Sequence, residues 1–303
     1  MSTVALALGM ALDAIVGEPK ALWSKVPHPA VLMGRAVEAL DARFNKDRRR
    51  DGVLAVAILA VGAIVLGWLI DVILFLPLEF LVVAVFLAQR SLVDHVRAVA
   101  TGLDESLEAG RAAVAQIVGR DTTVLDESGV ARAAIESGAE NLSDGVIAPA
   151  FWYLVAGLPG LLLYKAVNTA DSMIGHRTPR HARFGWAAAK LDDVMNYVPA
   201  RLTGLLIGIV ALSDSAIKTM LEDAREHRSP NAGWPEAAMA GALDIALSGP
   251  RIYAEGPSDD PWLNVHGRKT ADAEDVRHCV SLMWRTWAVA LGLLVLFAVL
   301  FVL

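Results

Sequence analysis

GVLAVAILAVGAIVLGWLIDVILFLPLEFLVVAVFLAQ, residues 52–89, is the stretch on which the fold turns. Residues 53–70 and 72–88 are two nearly continuous apolar runs separated by Asp71, with Pro77 and Glu79 following soon after. A bilayer crossing takes about 20 apolar residues, so the stretch predicts a tight hairpin of two crossings. Residues 286–303 form a further span, with Arg285 just before it and Trp284 and Trp287 as interfacial anchors. The run near 1–17 is shorter, carries Asp13 and lacks the basic start of a secretory signal, since its first lysine is Lys20. It is read as a retained first span or an interfacial helix. Over the whole chain 55% of the 303 residues are hydrophobic, above the share of an ordinary soluble domain. A soluble all-α protein would need a polar face on the last run, which has none.

The fold class expected is therefore all-α: a polytopic integral membrane protein, read as one membrane-embedded domain over 1–303. The composition also excludes chemistry. The single cysteine, Cys279, rules out an internal disulfide, a cysteine zinc cluster and a cysteine-based amidotransferase. A net charge of −6 gives no basic footprint for nucleic acid.

Between the hairpin and the last run, amphipathic helical segments alternate with Gly, Pro, Asn and Asp clusters. Residues 91–118 read as two helices broken near Gly102, with Gly119 as a C-cap, and Asp126 reads as the N-cap of the next helix. No strand alternation of any length and no internal repeat is visible. Basic residues flank the hairpin on both sides (Lys25, Arg35, Arg43, Lys46, Arg48, Arg49 and Arg50 before it, Arg90 and Arg97 after it), which places both flanks in the cytoplasm. Residues 146–164 are apolar enough to span, yet Lys165, Arg177, Arg180, Arg183 and Lys190 follow, so the far side also reads as cytoplasmic. Pro149, Gly157, Pro159 and Gly160 break this segment into two half-helices, 151–156 and 161–167, which predicts a re-entrant helical hairpin lining a site at the membrane surface. Residues 199–213 are left open between crossing and packing beside it.

Four polar clusters interrupt the apolar background, where polar groups are costly. In the first, Arg132, Glu136 and Glu140 stand at i,i+4 steps, followed by Asn141 and Asp144 just before an apolar segment. A solvated, salt-bridged face explains Arg132–Glu136 equally well. In the second, Lys165, Asn168, Asp171/Ser172 and Gly175 form a polar stripe on an apolar helix; a lysine and a carboxylate so spaced suit a phosphate with its magnesium ion. A polar seam between packed helices is the plainer account. The third, Lys190, Asp192, Asp193 and Asn196, has the oxygen-rich spacing of a Mg²⁺ site, though adjacent acids are common on wet helices. The fourth, Ser229-Pro-Asn-Ala-Gly-Trp-Pro-Glu236, enters a helix with Pro235 in its first turn, and by itself is simply a loop. No P-loop, Gly-x-Gly-x-x-Gly, Gly-x-Ser-x-Gly or His-Glu-x-x-His is present.

The strings Asp13-Ala-Ile-Val-Gly-Glu-Pro19, His28-Pro-Ala-Val-Leu-Met-Gly34, Ile117-Val-Gly-Arg-Asp-Thr122, Glu136-Ser-Gly-Ala-Glu-Asn141, Asp144-Gly145, Lys165 with Asn168-Thr-Ala-Asp-Ser-Met173, Leu191-Asp-Asp193 and Ser229-Pro-Asn-Ala-Gly233 closely resemble the CobD/CbiB family, in the same order from Asp13 to about Tyr253. The resemblance implies an enzyme of cobalamin biosynthesis at the cytoplasmic membrane, its active site facing the cytoplasm. It implies ATP-dependent amide-bond formation between adenosylcobyric acid and (R)-1-aminopropan-2-ol or its O-phosphate, with Mg²⁺ as cofactor. On the family's motifs Asp171, Asp192 and Asp193, with Asp144 or Glu140, are assigned to magnesium, and Arg120, Lys165 and Lys190 to phosphate groups. Asn141, Asn168 and Asn196 are assigned to substrate amides or phosphate oxygens. Ser172 and Asn231 join the substrate-binding set, and Glu136, Glu140, Asp144 and Asp171 the catalytic one, with His95 or Glu136 taking the amine proton. The chain departs from the family pattern at His176 and His181, where tyrosines are expected, and at Lys190, where an arginine is; lysine does not reproduce arginine's bidentate grip. Other late enzymes of the pathway and a second copy of the chain are expected partners. The rival readings are a small-molecule transporter and a non-catalytic membrane scaffold.

Overall fold

The computed structural model describes residues 3–176, 178–253 and 256–301, the side chains at 75–77, 251–253, 256–258 and 301 excepted. Arg177 and the outermost ends of the first and last predicted spans lie outside these residues. The helices in chain order are α1 (Thr3–Val16), α2 (Lys20–Trp23), α3 (Pro29–Phe44), α4 (Arg49–Phe86), α5 (Gln89–Glu105), α6 (Leu107–Val114) and α7 (Glu127–Leu142). They continue with α8 (Ala148–Ala170), α9 (Trp186–Met195), α10 (Tyr197–Ala211), α11 (Asp214–Asp223), α12 (Gly233–Leu243) and α13 (Ala273–Phe301). The strands β1 (Leu247–Ser248), β2 (Arg251–Tyr253), β3 (Gly256–Ser258) and β4 (Trp262–Leu263) pair as β1·β4 and β2·β3, both antiparallel. They are too short for period-two alternation to betray them in the sequence. The chain is otherwise all-α.

Three helical runs are long and apolar enough to cross a membrane: residues 49–74, a stretch within 127–175, and 273–300. Helices α9 and α10 would make a fourth only together. With Lys190, Asp192 and Asp193 among its ten residues, α9 is read as lying at the surface end of that pair, outside the hydrocarbon. The outward faces of α4 and α13 are apolar; Val61, Trp68 and Ile73, and Leu296, Val299 and Leu300, are all more than half exposed. Such rows face lipid rather than water.

Backbone packing divides the chain into two compact units. One holds residues 1–88, 148–196 and 294–303, the other 89–147 and 197–293.

In the first unit α4 is not straight. The His28 ring, which caps α3 by accepting from the Ala30 N–H, also hydrogen-bonds the Val85 backbone. At the other end of α3, Leu40 and Phe44 pack with Ala55, Val56 and Leu59. At about 1.5 Å per residue a straight α4 would set Leu59 and Val85 roughly 39 Å apart, against roughly 18 Å from His28 to Leu40. Residues from both halves, among them Gly62, Leu66, Val82 and Val85, also line one apolar cavity of about 810 Å³. The chain therefore turns back on itself within α4. The predicted reversal of this stretch is thus present, and residues 78–86 by themselves reach roughly 14 Å. Helix α1, with 14 residues, is likewise only about 21 Å long.

A second reversal is built into α8. Ala156 and Gly157 leave helical geometry, Gly157 at φ 63°, ψ −152°, a region essentially reserved for glycine. A Cβ at Gly160 would collide with the Trp152 carbonyl. Ala148 packs with Tyr164 and Val167, which a straight helix would hold roughly 24 Å or more away. The predicted helical hairpin is thus present, with its break beginning at Ala156, the last residue of the predicted first half-helix.

The second unit packs α5, α6, α7, α10, α11, α12 and most of α13 around a core that includes Val96, Ile135, Leu142, Met239 and Met283. Asp126 caps α7 as predicted, its carboxylate accepting from Gly129 N–H at 2.7 Å. The break between α5 and α6 falls at Ser106, whose hydroxyl caps α6, and not at Gly102, which is where the two helices touch. Nor does Gly119 close α6, which ends at Val114. Cys279 is fully buried beside Gly138.

Candidate functional site

Two π-helical turns stand where the polar motifs stand. One, Ser143–Ile147, follows α7 and carries Asp144; the other, Asp171–Gly175, follows α8 and carries Asp171. A π turn inserts one residue into a helix and shifts the side chains around it, and such turns concentrate at functional sites.

In the first unit the Asp171 turn is joined by α9. Asp192 is buried and its carboxylate is held from two sides: Asn196 Nδ2 donates to Oδ2 at 3.0 Å, and Asn168 Nδ2 to Oδ1 at 3.3 Å. Asn196 is itself fixed by Tyr164, whose hydroxyl donates to its Oδ1 at 2.9 Å. Burial pushes the Asp192 carboxyl up to about 7, with the negative charges of Asp171 and Asp193 adding to the effect and the two amide hydrogen bonds opposing it. Asp171 is thus the charge that acts most strongly on Asp192. It owes its position to Gly175, because any side chain there would run into its carboxylate. Adjacent residues on a helix point roughly 100° apart, and Asp193 turns the other way, taking Lys190 Nζ at 2.8 Å. Ser172 Oγ donates back to the Asn168 carbonyl, and Thr169 Oγ1 to that of Lys165. Of the predicted residues, Asn168, Asp171, Asp192 and Asn196 come together here, while Lys190 and Asp193 form a separate, more exposed pair.

Among the described residues no three carboxylate, histidine or cysteine side chains gather as a ligand set. A magnesium ion is nevertheless commonly held by only one or two carboxylates, its remaining positions going to water and phosphate oxygens. Asp171 and Asp192, two acids that repel one another with amides close by, fit that requirement.

In the second unit Glu136 is buried and both its oxygens are used: Oε2 accepts from Arg120 Nη2 at 3.0 Å, and Oε1 from the Ser248 N–H at 2.8 Å. Glu136 is not on the solvated face weighed above for Arg132 and Glu136, since it is buried. Arg132 donates to Ser128 Oγ and lies over the Trp262 ring at 5.3 Å. The physical reason is burial: Glu136 points into the protein, where Arg120 from the preceding loop reaches it, whereas Arg132 stays at the edge. Arg120 is thereby placed on a protein carboxylate. Glu140 and Asn141 are exposed and Asp144 partly so; the Asn141 amide donates to the Ser137 carbonyl at 2.9 Å. His95 is exposed, its Nδ1 lying 2.7 Å from the Ser91 carbonyl of its own helix. Asn231 is buried, its Oδ1 accepting from Arg201 Nη1 at 3.3 Å. Arg201 is the residue that sequence reading left unassigned; the i,i+4 step from Tyr197 to Arg201 was its only local signal.

Residues 6–283 match the family described as CobD/Cbib protein. The "Cobalamin biosynthesis protein CobD" of Brucella anthropi is 49% identical, covering 96% of this chain and 95% of the relative. Proteins of the same name from a Sinorhizobium species (50% identical, 95% of each chain) and from Rhodobacter capsulatus (49%, 86% of each) are similarly close. No solved structure matches. With the motifs in order and the match running through both units, the chain belongs to the CobD/CbiB family of cobalamin biosynthesis.

Proposed function

We propose that the protein is an ATP-dependent synthase that joins the amine of (R)-1-aminopropan-2-ol, or of its O-phosphate, to the free carboxylate of adenosylcobyric acid. The observation that carries this reading is the buried Asp192, clamped by Asn168 and Asn196 and facing Asp171 at a π turn. A carboxylate does not react with an amine until an oxygen is made a leaving group. The carboxylate oxygen therefore attacks the γ-phosphorus of ATP, ADP departs, and an acyl phosphate results. The amine then adds to the acyl carbon, phosphate leaves, and the nitrogen gives up a proton. A magnesium ion held by Asp171 and Asp192 would supply neutralisation of phosphate charge.

The chain's own residues bind and orient. Asn168 and Asn196 keep the Asp192 oxygens aimed, and Tyr164 fixes Asn196. Lys165, Ser172 and Lys190 of the same unit are assigned to phosphate, and Asp193, which holds Lys190, to magnesium. Since both oxygens of Glu136 are engaged, Glu140 and Asp144 are better suited to accept the amine proton, with Asn141 beside them. The test is reconstitution in detergent with adenosylcobyric acid, each amino alcohol in turn and Mg·ATP, following corrinoid mass and ADP together. Amide product with one ADP per turnover supports the reading; folded protein that yields neither product nor ADP with either amino alcohol overturns it.

A further inference from the structure

Arg201 begins the second turn of α10, where the Ser229–Gly233 loop is built around it. His227 Nδ1 accepts from Ser229 N–H at 3.1 Å, and Ser229 Oγ in turn accepts from the N–H groups of Asn231 and Ala232 at 3.3 and 3.1 Å. This fixes Asn231 against Arg201 Nη1, which also donates to the Tyr197 carbonyl at 2.7 Å. The guanidinium is flanked by two rings, with its carbon 3.6 Å from the centroid of Tyr197 and 4.4 Å from that of Trp234. Its orientation is thus set by two hydrogen bonds on one nitrogen and by contact with two aromatic rings.

Such a guanidinium normally ends on a carboxylate. Among the described residues no carboxylate lies within ion-pair distance of it; burial weighs against its charge first, Tyr197 favours the charge, and the positive charge of Arg225 adds to the cost. Glu236, the acid nearest in the loop, faces His227 Nε2 at 3.6 Å instead. A partly buried cation that feels a second positive charge costs stability unless an anion completes the site. A rigid guanidinium offers two parallel N–H donors to an oxyanion. The two positive charges match a phosphate monoester, which carries about −1.5 to −2 at neutral pH, better than a single carboxylate.

We propose that Arg201, oriented by Asn231 and Trp234 and assisted by Arg225, binds the phosphate of a phosphate-bearing substrate. The inference rests on the preceding reading only for the choice of ligands, which are the O-phosphate of the amino alcohol and the phosphates of ATP.

The experiment is calorimetric titration of the full chain in detergent with (R)-1-aminopropan-2-yl phosphate, the free amino alcohol and Mg·ATP, for wild type, Arg201→Lys and Arg225→Gln. Arg201→Lys keeps the charge and loses the fork, and should weaken one phosphate-bearing ligand by about tenfold or more, with unchanged helicity by circular dichroism. A loss confined to the amino-alcohol phosphate identifies that ligand, and a loss confined to Mg·ATP identifies the nucleotide; the free amino alcohol should be unaffected. Equal affinities for wild type and Arg201→Lys, or no binding of either phosphate-bearing ligand by wild type, overturns the proposal. Should Arg201→Lys fail to fold, Arg225→Gln decides by the same criterion. Wild type that binds phosphate through Arg201 but makes no amide would sink the synthase reading and leave this site standing.

Discussion

Asp192 and Asp193 are neighbours in sequence and opposites in environment. The first is buried between two amides, the second shares a lysine with solvent. On the proposed mechanism Asp171→Asn and Asp192→Asn should each lower turnover about 100-fold or more, because an amide in place of a carboxylate removes the charge that mechanism assigns to phosphate and metal; unimpaired turnover with correctly folded protein would remove that residue from the site. The pH dependence follows from the same burial. A carboxyl pushed up to about 7 is protonated below that pH, so on the proposed reading a magnesium ion would have to displace a proton there. Mg²⁺ affinity, followed by calorimetry, should be about tenfold weaker at pH 6 than at pH 8, and Asp192→Asn should flatten the profile. The pair Arg120–Glu136, with side chains 10% and 7% exposed, makes a contrasting case. Arg120→Ala leaves a buried carboxylate uncompensated and should cost roughly 3–5 kcal/mol of stability in a detergent melt; lost activity at unchanged stability would instead return Arg120 to the phosphate role that the motif implies. These residues were legible as chemical types from their spacing. What the spacing could not supply was partnership: Arg120 and Glu136 are 16 positions apart, and helical periodicity speaks only within a turn or two.

At the level of elements, the apolar runs and the glycine-proline break of 146–164 predicted helices and a reversal, because length and backbone freedom are local properties. Gly157 gives the second reversal its testable core. Gly157→Ala forces a side chain into a backbone region that tolerates almost none, and should cost about 1–3 kcal/mol, seen as a lowered melting temperature. The two π turns escaped sequence reading altogether. An inserted residue rotates everything beyond it by about 100°, so a stripe counted at three- and four-residue steps loses its face at Ser143 and again at Asp171. The short strands escaped for want of length.

At the scale of the molecule, the apolar surfaces of α4 and α13 and the two helical reversals make a protein that meets lipid with some helices and turns others back on themselves. Reagents added from outside sealed spheroplasts should leave a cysteine introduced at Pro159 or Asn168 unmodified if the α8 hairpin opens to the cytoplasm; modification from outside would reverse the assigned orientation. The native Cys279 makes such mapping unusually clean. It is fully buried, packed against Gly138 in the interior of α13's contacts, and burial keeps its sulfur from reagents that need the thiolate. To a water-soluble maleimide the natural chain is blank, so every engineered thiol becomes the molecule's sole chemical address, and no background substitution is needed before spin labels or fluorophores are attached.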